Sequence, residues 1–167
     1  MANPYVEFFL NAKAELIQFE CVEISHPNFS KVYRFVRNHT DGLTVTLETA
    51  AVVTFDYVPI KISQNEMVDD LDYGFKLELG DVGELLPLEL DRIAANDGFA
   101  IKPILKYRTY RSDDLTNVML GPITLEVTEL AFNKTGVVFE AKAPELNTNT
   151  TGEIYTISRF PGLRDFL

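Results

Sequence analysis

The chain has 167 residues, 46% of them hydrophobic, with 12 Phe, 7 Tyr and no Trp, which is the length and apolar content of one domain with a full core. Fifteen basic against 25 acidic residues give a net charge of −10, a poor match for a protein that grips phosphate through clustered Lys and Arg. No apolar run reaches the roughly 18–20 residues of a membrane span, and a lone cysteine, Cys21, excludes an internal disulfide.

The opening Met-Ala-Asn-Pro-Tyr-Val-Glu lacks the positive n-region of a signal peptide, so production in a reducing cytoplasm is expected. Asn3-Pro4 is a helix start, because Pro at the first helical position sacrifices no needed donor. A short helix from residue 4 to about 14 follows, with Tyr5, Phe8, Phe9 and Ala12 on one side, inside an N-terminal extension of residues 1–15. Leu16 to Ile24 reads as a strand that His26-Pro27-Asn28 ends. Lys31–Arg37 is the next strand, and Asn38 to Gly42 a turn. Leu43, Val45 and Leu47 alternate with polar residues as a half-buried strand does, and so do Val53, Phe55 and Tyr57. At Pro59 the phase slips to Ile60 and Ile62, which predicts a bulge or an edge strand.

Residues 63–73 are a polar loop. Phe75, Leu77 and Leu79 then alternate with Lys76 and Glu78 as a strand that Gly80 breaks. Asp81 and Glu84 make a capping pattern for the one good helix, about 81–96, with Leu86, Leu90 and Ile93 at helical spacing. Asn96-Asp97-Gly98 stops it, and a strand opens at Phe99 and runs through Ile101, Pro103 and Leu105 to Tyr110. Residues 113–121 are loop-like and close on Gly121-Pro122. A hairpin follows: Ile123, Leu125 and Val127 alternate, the parity shifts before Leu130 and Phe132, Asn133 to Gly136 turns, and Val137–Ala143 returns. Residues 144–152 form an exposed loop, and Glu153–Ser158 a last short strand. The sum is a mainly β (α+β) single domain over residues 1–167. It is an antiparallel barrel or sandwich of about seven to nine strands with one packed helix.

Chemistry is sparse. His26 and His39 read as exposed polar residues, and with Cys21 they make no zinc spacing. Cys21, inside an apolar strand, reads as an inert buried thiol. Asp69 to Gly74 fails the EF-hand pattern, since Leu71 and Tyr73 or Gly74 fall where ligands are needed. No nucleophile elbow, phosphate loop or dinucleotide fingerprint is present. Four Asn-x-Ser/Thr matches are expected by chance in a chain rich in Asn and Thr. No catalytic, cofactor-binding or metal-ligating residue is assigned, and no cofactor or enzymatic activity is expected. Charge is uneven: residues 61–100 hold three basic residues (Lys61, Lys76, Arg92) against ten acidic ones, whereas the last 67 residues balance eight against eight.

Three passages carry a family likeness. They are Glu23 to Ser30 with the strand before it, Leu77 to Val82 leading into the helix, and Gly121 to Val127. The last is followed by the Asn/Lys/Gly hairpin, Ala143–Leu146, Gly152–Thr156 and Phe160–Leu163. Their order and spacing across roughly residues 20–163 resemble tail-tip proteins of long-tailed phages, a poorly characterised family similar to distal tail proteins and to the N-terminal part of minor tail protein L. The resemblance implies a virion structural protein, made in the host cytoplasm, with a tail-tube-like fold. It implies a homo-oligomeric ring, hexameric or trimeric, at the junction of tube and tip. Tube, tape-measure and hub or tip proteins would be its partners. DNA would meet the ring only in passage, and acidic residues of 61–100 lining the lumen would keep it from sticking. A carbohydrate- or receptor-binding sandwich module would instead show clustered exposed aromatics, drawn from Tyr107 and Tyr110. A hydrolase using Asp or Glu would show two carboxylates in one cleft, at least one with a raised pKa.

Overall fold

The computed structural model describes residues 4–10, 15–64, 74–80, 85–96, 100–133 and 136–143. The elements in chain order are α1 (Pro4–Leu10), β1 (Gln18–Ser25), β2 (Tyr33–Val36), β3 (Leu43–Thr46), β4 (Val52–Tyr57), β5 (Ile60–Gln64), β6 (Gly74–Leu79), α2 (Leu85–Asn96), β7 (Ile104–Arg111), β8 (Leu120–Asn133) and β9 (Gly136–Lys142). The fold is mainly β, as the alternation predicts. The nine strands form one sheet in the order β3-β4-β2-β1-β7-β8-β9-β6-β5. It is a mixed sheet and not a wholly antiparallel one, because β2 and β4 run parallel. It is also open, with β3 and β5 at its ends, so the barrel alternative gives way to a sandwich-like one.

Pro59 marks something larger than a bulge. β4 lies second in the sheet and β5 ninth, yet only Val58 and Pro59 separate them. So short a link forces the two ends of the sheet close together, which curls it around one core. Proline suits the crossing because it has no donor to lose, while its carbonyl accepts from Gly80 N–H (2.8 Å).

Two cores result. The inside of the curl holds Val22, Ile24, Tyr33, Phe35, Ile60, Leu77, Leu105, Leu125 and Phe139 with their neighbours. The second core lies behind β1, β2 and β7, where Phe19, Cys21, Val36 and Tyr110 meet Leu43, Val45, Leu47 and Phe55 of β3, β4 and the turn between them. Residues of opposite parity on β1 therefore enter different cores, and both faces of this central layer are buried. That is why the run from Phe19 to Ile24 is nearly all buried and does not alternate.

Several boundaries move. The strand expected from Phe99 begins at Ile104, and Pro103, which has no N–H to give a ladder, uses its carbonyl to accept from Val127 N–H (2.9 Å). Gly121 and Pro122, expected to close a loop, lie inside β8 where its register against β7 shifts. Gly121 has φ +108°, and a Cβ there would meet the Tyr107 carbonyl at 2.6 Å, so glycine alone fits. The parity shift after Val127 is a register shift against β9, between Val127 and Glu129. The Asp81–Glu84 cap, Asp69 to Tyr73 of the loop before β6, residues 144–152 and the Glu153–Ser158 strand lie outside the described residues.

Candidate functional site

The curl leaves a seam where the sheet ends approach, and a cleft lies at that seam. It holds about 450 Å³. Its walls come from the end of β2 and the residues after it (Arg37, Asn38), Tyr57 to Lys61 at the crossing, the end of β6 (Glu78 to Gly80) and the start of β9 (Gly136 to Val138). Gly136 makes the close approach possible: its φ is +145°, and a Cβ there would sit 1.9 Å from the Leu79 carbonyl oxygen. Among the described residues Glu78 is the one carboxylate lining the cleft, and Lys61 Nζ stands 3.6 Å from it. The Arg37 guanidinium is held by Glu20, which also accepts from Tyr107 O–H (3.1 Å). Pro59, Ile60, Leu79 and Val137 give the cleft an apolar wall. Among the described residues the cleft holds no pair of carboxylates for acid–base work.

A second cluster joins α2 to the loop after β1. Glu89, buried on α2, accepts from Ser30 N–H (2.9 Å), from the Ser30 hydroxyl and from Tyr33 O–H (3.0 Å), and Arg92 Nη1 is 3.3 Å away. Burial works against its charge, but these donors outweigh burial and hold its carboxyl below the ordinary 4.5. His26, expected to be exposed, is buried here. Its Nδ1 accepts from Asn28 N–H (3.1 Å), so Nε2 carries the proton and donates to the Ile101 carbonyl (2.9 Å). Sequence reasoning missed Glu89 because a glutamate on an amphipathic helix reads as solvated. The serine and tyrosine that need it come about 60 positions earlier.

The third cluster is ionic and lies behind the central layer. Arg108 has 1% of its side chain exposed, and it donates to Glu48 through Nε (3.0 Å) and Nη2 (2.8 Å). Its Nη1 lies 3.8 Å from Glu23, which Arg34 pairs at 2.9 Å. Arg108's hydrogen bond pulls the Glu48 carboxyl down from its ordinary value. Among the described residues the carboxyls of Glu48, Glu89, Asp113 and Asp114 are all held below their ordinary values, the opposite of a general acid.

The remaining expectations fall out as follows. Cys21 is fully buried, and burial pushes its thiol up to about 12, as expected of an inert core cysteine. His39 is half-buried edge-on to Phe19, not exposed. Tyr107 and Tyr110, which a glycan-binding module would expose, are both buried. Among the described residues no group of three or more His, Cys, Asp or Glu comes together to hold a metal ion, and no helix is long and apolar enough to cross a membrane. No curated protein matches the chain. A family model does match, over residues 6–152, and by that match the chain belongs to the family described as a domain of unknown function, DUF1833.

Proposed function

We propose that the protein is a ring-forming structural subunit of a phage tail, placed where tube meets tip, with DNA passing through its bore. The observation that carries self-assembly is α1. None of its residues is buried, and Phe9 is 56% and Leu10 78% exposed. Ile17, just before β1, is exposed as well. An apolar helix lying uncovered on a monomer is a surface that association would cover. The resemblance in sequence order supplies the tail context. Of the ten acidic residues in 61–100, seven lie outside the described residues. Of the other three, Glu89 is bonded internally and Glu78 faces Lys61. The charge offered for the lumen therefore sits mainly in residues 66–84 and at Asp97.

Light scattering with negative-stain imaging of the same peak tests this. Closed rings of three or six copies are expected, and Phe9→Asp with Leu10→Asp should return them to monomers while the β-rich circular dichroism stays. A wild-type protein that remains monomeric at every concentration reached would overturn the proposal.

A further inference from the structure

The layer of β2, β1 and β7 is covered unevenly on the face that carries the second core. Toward the Gln18 end of β1, Cys21, Val36 and Tyr110 lie under β3, β4 and the turn between them. At the other end the same face presents Val32, just before β2, and Ile104, which is level with Ser25. Both are exposed, and so is Ile101 just before β7. α1 and Ile17 make a second uncovered apolar patch, and it lies at the opposite end. Ile17 precedes Gln18, which is level with Arg111, and its carbonyl accepts from Ser112 N–H (2.9 Å). Glu7 of α1 lies close enough to stabilise the Arg111 guanidinium. The length of β1, about 24 Å, therefore separates the two patches.

The charges beside the two patches are complementary. At α1, Glu7 and Glu15 are exposed, and neither makes an ion pair among the described residues, since Arg111 is taken by Asp113. At the other end Glu23 and Glu126 are paired with Arg34 and Lys102. That leaves Lys31, over the Tyr33 ring, and Lys106 without an ion pair among the described residues. Copies that each carry −10 repel overall, so contact between them needs local attraction of this kind.

We infer that the ring closes head to tail: α1 and Ile17 of one copy seat on Val32, Ile101 and Ile104 of the next, with Glu7 and Glu15 on the side of Lys31 and Lys106. The inference rests on the ring reading above and names its interface. A two-fold contact through either patch would instead set Glu7 against Glu7, or Lys31 against Lys31. Two different patches on each copy make the contact heterologous, and such a contact repeats from copy to copy until it closes.

Cross-linking tests it, because Cys21 is fully buried and leaves introduced thiols as the reactive ones. Leu10→Cys and Ile104→Cys replace exposed side chains, so the β-rich circular dichroism should be unchanged. With a short bis-maleimide, the variant carrying both cysteines is expected to give a ladder of covalent dimer, trimer and larger species on a denaturing gel. Each single variant should stay monomeric there, and the two single variants co-expressed should stop at the dimer. Moving the second cysteine to Val52, exposed on β4 outside the patch, should abolish the ladder. Covalent dimers from Leu10→Cys alone overturn the inference, since they assign α1 to a two-fold contact. Rings seen by negative stain that give no link between positions 10 and 104 overturn it and leave the ring reading standing. A protein that stays monomeric and unlinked overturns both.

Discussion

Glu89 shows what one carboxylate does here. Removing it with Glu89→Ala leaves the Ser30 N–H and Tyr33 O–H without an acceptor, at an expected cost of about 2–4 kcal/mol. Urea unfolding measures that loss. Glu89→Gln keeps an acceptor oxygen and should cost less at neutral pH. The pH dependence has a fixed sign. A carboxyl held below 4.5 in the folded state favours folding when ionised, so its contribution is present above that value and disappears as pH falls through the folded one. Glu48 acts in the same direction, and so does Asp114, drawn down to about 2 by the Thr116 and Asn117 donors. Stability should therefore fall as pH drops below about 4.5 toward about 2, less steeply in Glu89→Gln than in wild type. Gly136 fails differently: Gly136→Ala drives a Cβ into the Leu79 carbonyl and should cost about 3 kcal/mol or more, read as a lower thermal midpoint. Neither residue announces itself in sequence, because each is fixed by a contact with a distant strand or loop.

At the scale of elements, the β3–β4 hairpin makes a two-core molecule out of what would otherwise be a single curled sheet. It buries Arg108 against Glu48, and the pair is informative when broken one side at a time. Arg108→Ala leaves Glu23 with Arg34 alone and Glu48 half-covered, with an expected cost of about 3–5 kcal/mol. Replacing both partners, Arg108→Met with Glu48→Met, should recover most of that loss. Denaturant midpoints of the two single variants and the double variant give the coupling. The elements themselves were largely legible. Phe75, Leu77 and Leu79 on β6, and Leu43 and Val45 on β3, alternate as half-buried strands should, and all are buried. β7 was less legible, since Arg108 and Tyr110 share a face that reads as mixed until a second layer covers it. The adjacent apolar pair Cys21-Val22 in β1, which breaks strict alternation, was the available signal that the layer has two covered faces.

For the whole molecule, strand existence was readable but strand order was not. Val53 to Ile62 reads as one strand with a kink, because nothing local distinguishes a bulge at Pro59 from a departure to the far end of the sheet. The parallel pairing of β2 with β4 and the pairing of β1 with β7 join segments well separated along the chain. Such non-local closure predicts slow folding for a domain of this size. The candidate cleft was invisible for the same reason, since its described walls come from four separate stretches. The clusters at Glu89 and at Arg108 were likewise assembled by topology. The resemblance passage from Glu23 to Ser30 turned out to contain the loop that holds α2.

The two-residue link at Val58 and Pro59 also sets a mechanical limit. Three consecutive Cα–Cα steps cannot exceed about 11 Å, so the Tyr57 and Ile60 ends of the curl cannot part further than that while both strands stay intact. The molecule is a split hoop with an inextensible clasp. A load that tries to widen it cannot be absorbed by opening the seam, and must instead slide or peel a strand. Under such a load the molecule would be stiff up to a threshold and then yield at β4 or β5, with no gradual dilation beforehand.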